Sequence, residues 1–360
     1  MYAITLSQDI LDWCRSILST SPARANHIEV GRGQCGTVLV LNDTDCVIKI
    51  PNSPSKEDEL FTDYQIHYSV YSALAPLTSL NISVPRPEAW IMRENTTWFS
   101  TDSCFLIGIP SLPNYGLISK RTLSVPLCFR EDIVDLLCPE AIKTIKTKFL
   151  ARHENKDCLV RIYLGRRSCT SQREAGNIRL RNFPLHVNEM KGLQLRPESY
   201  AVTMAQTLAL LHWKVGIDAN DVEFVLGGGH IISSSYPSEQ EVRSATKHTA
   251  GRLHVPNLRN QQTSMWLLDF NQCQRFEYYA DGEARCKEVI KKLVEGFWFN
   301  DPYYPRPNAT DEEDKKLWHV FAEHYLKMSA ELVSHHGPRE FIEAVVEKGK
   351  QRSESSLFGL

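Results

Sequence analysis

The sequence predicts an α+β chain of two lobes, a small β-rich one followed by a larger, mainly helical one. Three observations predict it. β-branched runs cluster before about residue 112 and helical periodicity dominates after it. The chain of 360 residues is long for one core and comfortable for two lobes. Its composition is ordinary, 42% hydrophobic and 23% charged with a formal net charge of −2, so no global charge points to nucleic acid or to a membrane surface.

Residues 1–25 read as an amphipathic N-terminal helix: MYAITLSQDILDWCRSIL has no basic leading region and meets acids at Asp9 and Asp12. The first lobe spans 26–112. It opens on an antiparallel meander, IEVGRGQCGTVLVLNDTDCVIKI, continues through a helix over 56–76 that stops at Pro76, and ends with two strands, SVPRPEAWIM and TDSCFLIGIPSLP. The second lobe, 113–345, has helical patterns at 130–152, 197–213, 282–297 and 311–334. Between them lie the strand CLVRIYLG and the strand pair VEFVLGG and MWLLDFNQC, with a polar, mobile insertion at 229–263 separating the pair. Residues 346–360 read as a flexible C-terminal tail.

Several classes fall away. The sequence has no run of about 18 apolar residues, so no membrane partner is expected. Ten cysteines without a secretion signal read as reduced thiols in the cytoplasm. No two of them stand two to four residues apart, and His319 and His324, five apart, lie well round a helix from each other, so no metal site is predicted.

Four features then occur in a meaningful order. Gly31-Arg-Gly33-Gln-Cys-Gly36 lies between two strand candidates, which suits a kinase glycine loop better than a dinucleotide fold. Lys49 sits mid-strand in VIKI, where its ammonium needs a partner. His212-Trp ends a helix just before Asp218, and Glu223 follows five residues on, where a kinase catalytic loop carries Asn. Asp269-Phe270-Asn271 matches the Asp-Phe-Gly element except at its last position. Together they predict a protein-kinase-like two-lobe fold.

The departures bear on function. Asp218, Glu223 and Asp269 are the candidate catalytic acids, and Asp221, Asn220, Lys49 and His212 the candidate substrate contacts. Such a cluster raises its own pKa values unless a cation sits in it, either magnesium or a guanidinium held in bidentate fashion. Residues 144–182 carry ten basic side chains against three acidic ones, among them Arg161, Arg166, Arg167, Arg179 and Arg181, a surface suited to RNA phosphates.

The motifs CLVRIYLGRR, LRNFPLHVNEM, MAQTLALLHWKVGIDANDVEFVLGG, WLLDFNQC and NDPYYPRP resemble a fungal family loosely labelled zinc-finger proteins. That family includes the arginine-containing cyclodipeptide synthases, and the resemblance spans roughly residues 25–335. It implies a kinase-like fold and an enzyme of secondary metabolism. The implied reaction joins arginine from arginyl-tRNA to a second amino acid or aminoacyl-tRNA, giving a cyclic Arg-X diketopiperazine. It implies no required cofactor, with room for magnesium, and no DNA or membrane partner. The alternatives are an ATP- and magnesium-dependent phosphotransferase and a non-catalytic, pseudokinase-like binding module. Cys35, in the glycine loop, is a further candidate nucleophile.

Overall fold

The computed structural model describes residues 28–41, 44–92, 94, 114–168, 175–229, 238–247, 249, 263–278 and 283–357. The expected helix at 1–25, the expected strand TDSCFLIGIPSLP and most of the 229–263 insertion lie outside the described residues. Within them the fold is α+β, protein-kinase-like and two-lobed. The first lobe is an antiparallel sheet of five strands in the order β1-β2-β3-β6-β5: β1 (Glu29–Arg32), β2 (Gly36–Val40), β3 (Cys46–Pro51), β6 (Tyr115–Lys120) and β5 (Pro87–Met92). One long helix, α1 (Glu57–Leu74), packs on it. Glu57, Asp58 and Glu59 in its first turn complement the positive end of the helix dipole.

The lobe boundary moves from 112 to Lys120, because β6 is an inner strand paired with both β3 and β5. In YGLISK the buried positions are consecutive, Gly116, Leu117 and Ile118, as expected of a strand covered on both faces.

A second five-stranded sheet runs β4-β10-β9-β7-β8, from β4 (Ile82–Ser83), β10 (Thr263–Leu268), β9 (Glu223–Gly228), β7 (Val160–Tyr163) and β8 (Phe183–His186). Its β4 comes from the chain between α1 and β5, so the first-lobe sequence contributes a two-residue parallel pairing to the second-lobe sheet. The β9–β10 register, Glu223 opposite Leu268, brings Glu223 and Asp269 out at the same end of the hairpin.

Below this sheet stands the helical core. Helix α3 (Pro197–Leu210) opens on a proline, whose missing N–H costs nothing in the first turn. It ends in a π-turn over Leu211–Val215, closed by Gly216 at φ 75°. Around it lie α4 (Glu283–Phe299), α5 (Glu312–Leu332) and α6 (Gly337–Leu357). Asp311 caps α5, accepting from the backbone N–H of Glu313 at 2.9 Å.

Two expectations change here. The 130–152 pattern is three short helices, α2 (Leu127–Leu137), Glu140–Lys143 and Lys146–Ala151, with Pro139 ending the first. Residues 346–357 are not a tail but the second half of α6, whose Gly349 lies against Trp298 and whose Arg352 stacks on the same indole at 4.8 Å.

His212 is a core residue, not the substrate contact expected of it. It is 1% exposed, edge-on to Phe341 at 4.9 Å. The Tyr325 hydroxyl accepts from the Trp213 indole at 2.7 Å, which leaves its own proton for His212 Nδ1 at 2.8 Å. Burial pushes the imidazole pKa down to about 3 from 6.5. The folded protein therefore refuses a proton that the unfolded chain takes up below pH about 6.5. This residue's contribution to stability is complete above that pH and falls between 6.5 and 3, by about 1.4 kcal/mol per pH unit. Urea unfolding of His212→Phe and the parent at pH 7 and pH 5 checks this: the parent's advantage at pH 7 shrinks or reverses at pH 5.

Candidate functional site

The cleft between the lobes, a cavity of about 210 Å³, lies under the glycine loop and above the β9–β10 hairpin end. The glycine loop is the β1–β2 turn. Gly33 N–H donates to Gly36 O at 2.9 Å, and Asn52 Nδ2 staples the loop by donating to Gly33 O at 2.8 Å and Gln34 O at 3.1 Å. Gly31 faces the Val38 side chain. A Cβ on Gly36 would stand 2.5 Å from Ile50 O, so no other residue fits there. Cys35 is buried in the loop, and burial pushes its thiol pKa up to about 11, which keeps it protonated and a poor nucleophile.

Lys49 on β3 is the centre of the cleft. Its ammonium lies 2.6 Å from Asp63 Oδ2 and 2.9 Å from Asp269 Oδ1. Burial opposes its charge, but the two carboxylates outweigh that and push its pKa upward. Asp63, buried on α1, also accepts from the Phe270 backbone N–H at 3.2 Å. Asp63 is absent from the sequence-derived set. Its signal was an acid on the buried stripe of a helix, between Leu60 and Ile66–His67. One turn on, His67 binds Pro85 O at 2.7 Å and lies against the Phe270 ring.

Glu223 pairs with Arg161, which projects from the adjacent strand β7. The register sets Arg161 opposite Val225, making Glu223 its diagonal neighbour on one face of the sheet. Burial pushes the Glu223 pKa up; Arg161 opposes that shift, and Asp269 and Asp221 reinforce it. Asp221, in the left-handed region at φ 62°, donates its N–H to Asn300 Oδ1 at 2.7 Å and accepts from Gln272 Nε2 at 2.9 Å. Its pKa rises through burial and the nearby Asp269.

Asp218 is 8% exposed, and its Oδ1 accepts from the N–H groups of Gln274 at 2.9 Å and Asn220 at 3.2 Å. Burial dominates those bonds and raises its pKa too. Asn220 is half-buried, and its carbonyl accepts from the Cys273 thiol at 3.3 Å. Asn300 clamps this turn from α4's C-terminal side, donating to Ala219 O at 2.9 Å, and Gly296 lets the helix approach, since a Cβ there would meet Asp218 O at 2.7 Å. Neither was anticipated, because both lie some 80 residues downstream of the turn they hold.

The structure separates the five arginines. Arg161 faces the cleft, and Arg181 reaches across to Glu29 O of β1 at 2.9 Å. Arg167 is held by Asp311, Glu313 and Asp314, while Arg166 and Arg179 are exposed. A kinase-like cleft implies magnesium, which Asp269 and Glu223 would hold. Lys49 already lies on one and Arg161 on the other, and among the described residues no group of three His, Cys, Asp or Glu is placed to hold a metal ion. In the cleft as built Asp269 Oδ2 stays open to such an ion, whereas Arg161 occupies Glu223.

Lys49→Met strands Asp63 in the core without its cation and is expected to cost about 3–5 kcal/mol by denaturant unfolding, against a much smaller loss for Lys49→Met with Asp63→Leu. Gly36→Ala, forced against Ile50 O, is expected to destabilise by about 1–3 kcal/mol in the same assay.

A family model described as DUF3669, zinc finger protein, matches residues 265–337, which cover most of β10 and all of α4 and α5. A comparison with curated proteins gives no match. Among solved structures, the GDP complex of a mutant aminoglycoside 2′-phosphotransferase of type IIIa aligns over 97% of both chains at 12% identity, with a TM-score of 0.23. At that score the fold assignment rests on the strand order and the cleft instead.

Proposed function

We propose that the protein is a tRNA-dependent cyclodipeptide synthase that joins arginine to a second amino acid on a kinase-like scaffold. The observation that carries the reading is Glu223. An acid stands where a kinase loop has a metal-binding amide, beside Asp269 in the cleft and within electrostatic reach of Asp221. Arg161 already seats a guanidinium on this carboxylate, the pairing that a substrate arginine needs on the neighbouring oxygens. Asp269 Oδ2, turned toward Gly33, has no partner among the described residues. The motif resemblance supports the same reaction.

Aminoacyl esters carry their own activation. The α-amine of one attacks the ester carbonyl of the other, a C–N bond forms, the C–O bond breaks, and the tRNA 3′ hydroxyl leaves with a proton. The free α-amine of the dipeptidyl ester then closes the ring by the same exchange. Both carboxyl groups must therefore arrive as esters for the balance to close without ATP. Holding the two esters together supplies effective concentration. Asp218 and Asp221, acids with raised pKa values and no ion-paired cation among the described residues, are the groups suited to take the amine proton.

ATP-dependent phosphotransfer is the second reading. One observation favours it: Lys49, the glycine loop and Asp269 are assembled in one cleft as a kinase-like enzyme requires.

A microbial host expressing the protein and fed labelled arginine tests the first reading by mass spectrometry. A labelled cyclic Arg-X dipeptide is expected from the parent, with yields lowered about 10²–10⁴-fold in Asp218→Asn or Asp221→Asn, whichever is the base. Folded protein that makes no such product, yet consumes ATP, would replace it with the second.

A further inference from the structure

Two polar atoms beside the acid cluster lack partners among the described residues, and both are sealed from solvent: Arg161 Nε and the Tyr303 hydroxyl. Buried polar atoms are seldom left unpaired. Neither water nor a ligand reaches these two, so a partner has to come from the chain itself. The fold brings them to one place. Arg161 and Tyr163 share the half-buried face of β7, and Phe224 follows Glu223 on β9. The Tyr303 ring lies edge-on to Tyr163 at 5.1 Å and against Phe224 at 6.1 Å, beside the Arg161–Glu223 pair. Burial pushes the Tyr303 hydroxyl's pKa up, and Glu223 and Arg161 are the next influences on it, opposite in sign.

The backbone gives this ring little freedom. Tyr303 donates its N–H to Asn300 O at 2.8 Å and accepts from Leu164 N–H at 3.0 Å, while Gly165 N–H donates to Pro302 O at 2.9 Å. A Cβ on Gly165 would stand 2.4 Å from Tyr304 O, so glycine is what lets this bracket close on the end of β7. Asn300 is also the clamp on the Asp218–Asp221 turn, which makes one residue the anchor of both.

We propose that Tyr303 is a positioning residue: its hydroxyl oxygen accepts from Arg161 Nε–H and fixes the guanidinium that lies on Glu223. Arg161 meets that carboxylate through Nη2. A guanidinium held through one nitrogen pivots about the bond; held at Nε as well, its planar fork is set. A fixed Arg161 keeps Glu223 ionised against burial and against the neighbouring Asp269 and Asp221. An ionised Glu223 is what a cationic substrate meets. That last step rests on the aminoacyl-tRNA reading; the Arg161–Tyr303 bond does not.

Tyr303→Phe tests it, because the substitution removes the hydroxyl and keeps the ring against Tyr163 and Phe224. In the full chain labelled with ¹⁵N-arginine, the Arg161 Nε proton is the signal lost in Arg161→Lys. Its exchange with solvent is expected to be about tenfold faster in Tyr303→Phe than in the parent. With arginyl-tRNA as substrate, KM is expected to rise about tenfold with kcat held within about twofold. The acid limb of kcat/KM is expected to move to higher pH, because a loosened Arg161 lets Glu223 take up its proton sooner as pH falls. A ring that served only as packing would move neither the proton exchange nor the pH limb. In the Arg161→Lys background, which has no Nε–H, Tyr303→Phe is expected to add no further loss. Unchanged Nε exchange in Tyr303→Phe overturns the proposal, and so do additive losses in the double variant. A parent whose Nε proton is protected by Tyr303 but which makes no cyclic dipeptide upholds the bond and overturns the aminoacyl-tRNA reading alone.

Discussion

One buried ammonium organises the molecule. Lys49 belongs to the first-lobe sheet, Asp63 to the helix packed on it, and Asp269 to the end of a second-lobe strand, and all three meet within 2.9 Å. A lysine in the middle of VIKI is costly without partners, and a carboxylate inside a helix's apolar stripe is equally so. Each cancels the other's penalty only in this arrangement. The second Asp63 oxygen then fixes the backbone at Phe270, so the helix, the sheet and the hairpin end are set relative to one another by a single charge. The acid cluster can hold its shape because this bridge does.

Around that centre the second lobe works as a support. Asp218, Ala219, Asn220 and Asp221 form a turn with two residues, Ala219 and Asp221, at positive φ. Such a turn persists only when its surroundings over-determine it. Asn300 binds it from one side and the Gln272–Gln274 segment from the other. Asp218 and Asp221 are therefore held by backbone and amide groups, which fix their positions without supplying a neutralising charge, whereas Glu223 has the Arg161 guanidinium beside it.

What the sequence made legible follows from how local each feature is. The glycine loop, Lys49, Glu223 and Asp269 sit in strand-and-turn contexts that a few neighbouring residues define, and the register joins them. The pairing of Arg161 with Glu223 was not legible, because strand alternation assigns a face and not a partner. Counting charge over 144–182 suggested an RNA surface, yet counting is blind to pairing: Arg167 and Arg181 are engaged elsewhere in the fold. Asp63 was legible in principle, as an acid where the helical period asked for an apolar side chain. Whether the last residues are a tail depended on packing against Trp298, a contact that no local pattern encodes.

The small strand β4 has a mechanical consequence. The chain crosses from the first lobe to the second near Thr122, but it has already touched the second-lobe sheet at Ile82–Ser83 and returned. The chain thus ties the lobes together at two separate points, and Ile66, Val70 and Leu74 of α1 are buried in the same core as the second-lobe helices. Opening the cleft therefore exposes apolar surface to water as well as breaking the Lys49 and Arg181–Glu29 contacts, and the lobes part like the covers of a book glued along its spine.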